Sequence, residues 1–330
     1  MPRLPFAPRA LKAVPRQVGG AMRLWTLFKS LRVQDIAEAA ERPFHIALIG
    51  TEDHARLLMA RIALESSAPR DLGPQGPADI TPCVAWYADR RQAPPGSLTL
   101  DAGALTADEA SLAAALTADE ASLAAALAAD EASLAAALAQ LTAEQPDLRL
   151  ALARHVPAFR PAVVSLLIAE AAKDNAKIAL LSALPGAVPF TGFLLPTTAL
   201  GDMVLLTKNQ ILLLLRIAAA YGKDMDLRAR TRELLPVVGS AFGWRAAARE
   251  LIGLVPGGIG MVVKGCIAYA GTYTVGKAAA VYYSTGQTLS PSRLRQLYND
   301  AFKDAVARIR PLLRRGKTRP TVDKSADARV

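Results

Sequence analysis

The sequence predicts two architectures in one chain: a small P-loop-like α/β module carrying a long alanine-rich repeat helix, then an α-helical bundle with apolar helical hairpins. Three observations carry this expectation. An apolar run ending in glycine, Phe44-His45-Ile46-Ala47-Leu48-Ile49-Gly50, precedes a helix-like segment over residues 53–65, the pattern of a buried strand, a turn and a helix. The eleven residues TADEASLAAAL at 106–116 recur unchanged at 117–127, and again at 128–138 with only the first residue altered. From Pro161 the chain turns helical and strongly apolar, and residues 178–201 carry no charge.

Length and composition set the bounds. The chain has 330 residues, 52% of them hydrophobic, and its mean hydropathy is +0.22. That is about two domains' worth of chain, with too much apolar surface for a largely disordered one. Cys83 and Cys266 are too few for a disulfide framework and lack zinc-ligand spacing. With only His45, His54 and His155, no histidine metal site and no Ser/His/Asp or Cys/His constellation can be assembled. His45 reads as a strand residue, His54 as a helix start and His155 as a loop residue. The reading therefore assigns no catalytic, cofactor or metal residue, and no cofactor.

The 39 basic and 29 acidic side chains give a formal charge of +10. Residues 1–32 hold seven bases and no acid, and residues 291–330 hold eleven bases and four acids, so each end is +7 and the body between is −4. Basic ends on a mildly acidic body point to anionic lipid more than to a nucleic-acid-gripping fold. The organisation read from this is a basic amphipathic segment (1–42), an α/β module (43–157), an apolar helical domain (158–290) and a basic C-terminal helix and tail (291–330). Residues 22–33 place Leu24, Leu27, Phe28 and Leu31 at helical spacing among Arg23, Lys29 and Arg32. Such a stripe can lie on an anionic membrane or pack on the protein.

The turn after Gly50 is where a phosphate loop would sit. A P-loop needs Gly-x-x-x-x-Gly-Lys-Ser/Thr, and counting from Gly50 the last three positions are Ala55, Arg56 and Leu57. Leu57 offers no oxygen to magnesium, and Glu52 and Asp53 put negative charge where phosphate would bind. Residues 66–78 form a Pro/Gly-rich loop, and residues 80–87, 97–100 and 148–153 are expected as further strands. Asp101 stands in a metal-Asp position, but Ala104 breaks the Asp-x-x-Gly pattern. No Asn-Lys-x-Asp motif follows, and Thr207-Lys208-Asn209-Gln210 lies in the wrong context to replace it.

The repeat has a period of three helical turns, close to that of a straight helix. Leucines 105, 112, 116, 123, 127, 134 and 138 fall on one face, and six acids decorate the three copies. One helix over residues 106–141 is expected, ~54 Å long. An in-frame duplication within an existing helix explains it best, with a partner-binding face as the alternative.

In the apolar region, Pro185, Gly186, Pro189 and Pro196 favour a helix, a kinked turn and a second helix over one smooth span. A helix follows over 203–221, interrupted by Asp202, Lys208 and Arg216; charges there must pair or face water. A second pair is expected around Pro256-Gly257-Gly258, where Gly260, Gly265, Gly271 and Gly276 would let helices approach closely.

These residues carry a resemblance. Leu184-Pro185-Gly186, Thr207-Lys208-Asn209-Gln210-Ile211, Arg216-Ile217, Ala220-Tyr221-Gly222-Lys223, Leu254-Val255-Pro256-Gly257, Gly271-Thr272-Tyr273-Thr274-Val275-Gly276-Lys277-Ala278 and Tyr282-Tyr283 resemble the YcjF-type family of unknown function over roughly residues 175–290. The resemblance implies a helical, membrane-associated domain commonly attached to an Era-like GTPase module, and it implies no catalytic residue. The leading expectation is thus a non-enzymatic, membrane-associated scaffold with both termini cytoplasmic. Its partners would be anionic membrane lipids and an unidentified protein, with homo-oligomerisation open. An atypical GTPase or ATPase at a membrane is the first alternative. Nucleic-acid binding by the tail over 308–319 is the second, ranked low because the tail has no aromatic side chains for stacking.

Overall fold

A computed structural model describes residues 33–66, 83–105, 131–182, 198–223 and 259–315. The chain enters through α1 (Val33–Ala40), then β1 (Ile46–Ile49), α2 (Glu52–Ser66), β2 (Val84–Tyr87), β3 (Leu98–Asp101) and the short α3 (Ala102–Leu105). After the repeat come α4 (Glu131–Glu144), α5 (Arg149–His155), α6 (Arg160–Leu181), α7 (Thr198–Ala220), α8 (Ile259–Thr285) and α9 (Pro291–Arg315). Mostly helical with one small parallel sheet, the described residues have the expected α/β plus all-α class. The amphipathic stripe at 22–32, the loop over 67–78, the first two repeat copies, the kinked turns at 183–197 and 251–258 and the tail from 316 lie outside the described residues.

The sheet runs β2-β1-β3 with both pairings parallel. Ile46 stands opposite Val84 on one side and Leu98 on the other, and Leu48 opposite Trp86 and Leu100. Ile46, Ala47 and Leu48 are buried, as a near-continuous apolar run on a central parallel strand requires. The strand–turn–helix order holds, but the link from β1 to α2 is two residues, Gly50 and Thr51. A P-loop interposes several more before its helix.

One expected strand is a helix. Residues 148–153 form most of α5, with Leu150, Ala151, Leu152 and Ala153 all buried. A short apolar run cannot be assigned by periodicity alone when every side is covered. Its leucine and alanine content, without β-branched residues, favours helix. His155 accordingly closes α5 instead of lying in a loop. The 203–221 helix starts earlier, at Thr198, and the segment around Gly265 belongs to one unbroken helix beginning at Ile259.

The helices α6, α7 and α8 form the bundle. Gly265 lies beside Leu180, Thr272 bonds Asn175, and Gly276 lies beside Ile168 and Leu213. Arg160 at the start of α6 reaches Ala220 at the end of α7. So α6 runs antiparallel to both α7 and α8. A Cβ on Gly276 would sit 2.7 Å from Ile168 Cγ1, and one on Gly265 2.8 Å from Leu180 Cγ; these two glycines set the close approach. Gly271, expected to do the same, has nothing within 4 Å of its Cβ position. The third repeat copy docks as α4: Leu134, Leu138, Leu141 and Thr142 are buried. A single hydrophobic cluster runs from Ile36 through the sheet and α4 to Tyr283.

Candidate functional site

In open parallel sheets ligands bind beyond the carboxyl ends of the strands, and here local bonds occupy that edge. Gly50 ends β1 at φ +141°, where a Cβ would be strained. Its N–H donates to Tyr87 O at 3.3 Å, and its carbonyl accepts the Trp86 indole N–H at 2.9 Å. Thr51 caps α2, its Oγ1 accepting the His54 N–H at 3.4 Å and lying 2.7 Å from His54 Nδ1. Asp89 Oδ1 accepts the Arg91 N–H, and Asp101 Oδ1 accepts the Ala104 N–H at 3.1 Å. Asp101 is therefore committed to capping α3. The first turn of α2 carries Glu52 and Asp53, which suit the positive helix end but repel a phosphate there. Arg56, at the P-loop lysine position, pairs with Glu52.

A second polar cluster lies inside the bundle. Asn175 on α6 is fully buried; its Nδ2 donates to Thr272 Oγ1 at 2.8 Å and to Leu206 O at 3.4 Å. Its Oδ1 accepts from Asn209 Nδ2 at 3.0 Å, and Gln210 Nε2 donates to Thr272 Oγ1 at 3.3 Å. The layer ties α6, α7 and α8 through side chains, and Gln210 Oε1 is buried without a hydrogen-bond partner. From sequence, Thr207-Lys208-Asn209-Gln210 stands as a misplaced base-reading motif and as part of the family resemblance, with no expectation that Asn209 and Gln210 join a buried polar layer. The signal passed over is Asn175, a lone amide in an alanine-rich run whose only apparent use is to meet another polar group.

Arginines hold the base of the bundle. Helix α7 ends in a Schellman turn: Gly222 has φ +70°, its N–H bonds Ala219 O at 2.9 Å, and the Lys223 N–H bonds Ala218 O at 3.0 Å. Arg160 Nε donates to Ala153 O and Ala220 O, both at 2.9 Å, with its guanidinium 5.4 Å above the Tyr221 ring. Arg154 reaches Ala219 O and Lys223 O and pairs with Glu41 at 2.6 Å. Cations at a helix C-terminus offset its negative end. Burial raises the Tyr221 pKa above its ordinary value, against the opposing pull of Ser284 and Arg160.

The other end of the bundle is different. Leu181 is 60% exposed and Leu205 44%, and Lys264 Nζ donates to Ser182 Oγ at 2.8 Å. Here α6 ends and α7 and α8 begin. Beside it, burial pushes the Tyr269 hydroxyl up, with Arg308 pulling it down and Tyr273 and Asp304 pushing it up.

The histidines stand apart. His45 Nδ1 lies 3.0 Å from Ser97 Oγ, and His155 Nε2 lies 3.2 Å from Glu41. Cys266 is buried, which raises its thiol pKa, and Cys83 is half-buried. Lys208 is half-buried and Arg216 exposed on α7; the Asp202 side chain lies outside the described residues. Among the described residues no three or more His, Cys, Asp or Glu side chains gather to hold a metal, and no helix is long and apolar enough to cross a membrane. An open depression of about 350 Å³ lies on α9, lined by Ser292, Arg295, Gln296, Asn299, Asp300 and Lys303. The chain matches no family model, no curated protein and no solved structure.

Proposed function

We propose that this chain is a non-enzymatic protein associated with the cytoplasmic face of a membrane, a scaffold in which a P-loop-like α/β module without nucleotide chemistry is joined to a membrane-seeking helical bundle. One observation carries the reading: Leu181 at the end of α6 and Leu205 near the start of α7 are large exposed apolar side chains, and they flank a sequence that carries no charge from residue 182 to residue 201. Large apolar side chains grouped beside uncharged chain mark interaction surfaces. The resemblance to the YcjF-type family supports the same reading from sequence. Local caps on Asp89 and Asp101, and carboxylates at the β1–α2 turn, argue against phosphate binding at the sheet edge. A protein partner and self-association belong to the scaffold reading.

Cell fractionation followed by carbonate and detergent extraction tests it. Recovery with membranes, released by carbonate or detergent, is the expected outcome; recovery entirely in the soluble fraction would overturn it. The rival, an unusual nucleotide hydrolase, predicts a melting temperature that rises with millimolar nucleotide and magnesium. No rise is expected.

A further inference from the structure

Three buried polar side chains from three helices meet at one level of the bundle. Asn175 on α6 and Thr272 on α8 are fully buried, and Gln210 on α7 is nearly so. Thr272 Oγ1 accepts from both amides, at 2.8 Å from Asn175 Nδ2 and 3.3 Å from Gln210 Nε2. The layer is not arranged for greatest stability. Gln210 Oε1 has no hydrogen-bond partner, and replacing a whole set of buried polar partners by apolar groups of similar shape is commonly neutral or stabilising.

Around this layer the helix surfaces carry few distinguishing shapes. On α8, Gly265, Thr272 and Gly276 meet α6, and Ala279 is buried further along. These small residues leave a smooth row. On α6, Ala172 and Ala179 are the buried residues on either side of Asn175. On α7, Ile211, Leu213, Leu214, Leu215 and residues 217–220 are all buried, so apolar groups surround the axis and no single stripe fixes its rotation. A slip of one helical turn, ~5.4 Å, exchanges one apolar contact for another along most of these faces. At the layer it leaves Asn175, Thr272 and Gln210 unpaired in an apolar interior, which is costly. A single polar position in a coiled coil fixes register in the same way, with some loss of stability.

Register has a consequence at the base of the bundle. Arg160 Nε donates to Ala220 O at 2.9 Å, and Arg154 Nη1 to Ala219 O at 3.5 Å and Lys223 O at 3.4 Å. The end of α7 is thus held by its last carbonyls, and Arg154 also pairs with Glu41 just beyond α1. A one-turn slip of α7 carries those carbonyls out of reach of both arginines.

We propose that the Asn175–Thr272–Gln210 layer is a register lock. It selects one axial and rotational setting of α6, α7 and α8, keeps the end of α7 on Arg154 and Arg160, and lowers stability in doing so. The rival lock is steric: Leu180 seated against Gly265, and Ile168 against Gly276.

The full chain carrying N175L/Q210L/T272V separates the two, because it leaves both glycine contacts in place. Its chemical denaturation midpoint should equal or exceed that of wild type. Its near-ultraviolet circular dichroism, from Tyr221, Tyr269, Tyr273, Tyr282 and Tyr283, should fall while binding of the dye ANS rises several-fold, the marks of helices without fixed packing. N175L alone should lower the midpoint, since Thr272 and Asn209 lose their partner, and adding Q210L and T272V should bring it back, a non-additivity expected of one coupled layer. A triple variant with the wild-type near-ultraviolet spectrum and no dye binding overturns the proposal, because the glycine contacts then set the register unaided. A triple variant that unfolds, or whose midpoint stays below wild type, also overturns it, because the layer is then a source of stability.

Discussion

At the residue scale, glycines that look alike in sequence do different work. Gly276 admits Ile168 and Leu213 into the space a side chain would fill, while Gly271 faces none. Gly276→Ala should destabilise by ~1–3 kcal/mol through overpacking, whereas Gly271→Ala should be neutral or stabilise by up to ~1 kcal/mol from helix propensity. Paired chemical denaturation curves check both signs. Nothing in the spacing of these glycines separated them, because the neighbours of a helix face are set by packing. Tyr298 makes a second case: burial pushes its pKa up to about 12, with a smaller push from Cys266. The folded state thus holds this proton more tightly than the unfolded chain, whose tyrosines titrate near 10. Its contribution is complete below pH ~10 and is lost as pH rises toward 12. Stability measured across that window should fall more steeply for wild type than for Tyr298→Phe.

At the element scale, the apolar runs located β1, β2, β3 and α2 to within a few residues, because short length, bounding turn residues such as Gly50 and Gly96, and β-branched or aromatic side chains decide for strand where periodicity alone does not. It failed at α5, which has no exposed face to give a helical period, so its burial erased the distinguishing signal. The site was legible in part. The broken phosphate loop was readable from Ala55, Arg56 and Leu57, but the two-residue turn and the caps on Asp89 and Asp101 needed coordinates. The Asn175–Thr272 layer joins residues 97 positions apart, a pairing no local window contains. Asn175→Ala should cost ~1–3 kcal/mol, since Thr272 and Asn209 lose a buried partner. Asn175→Asp measured beside it should also destabilise, because a buried carboxylate cannot donate to Thr272 and Leu206 O as the amide does. A wild-type melting temperature for either variant would show that the layer carries no stability.

For the whole molecule, charge arithmetic was informative but incomplete. It separated two basic ends from an acidic body, but a charge count does not say where either end lies on the fold. The repeat is the converse case, conspicuous in sequence and modest in the fold. Its third copy seats Leu134 and Leu138, and one period beyond that copy's own Asp130 and Glu131 stand Leu141 and Thr142, both buried. Sliding the helix back by one copy would put Asp130 and Glu131 into those buried places, which the cost of burying charge forbids. Only the last copy fits that place, so deleting residues 117–127, which keeps Leu134, Leu138, Leu141 and Thr142 in sequence, should leave the melting temperature within about 2 °C. Leu134→Ala should cost ~2–5 kcal/mol. An unchanged melting temperature in that deletion would mean that slippage in the gene can add or remove whole copies without unfolding the product, leaving copy number free to drift as a neutral length polymorphism.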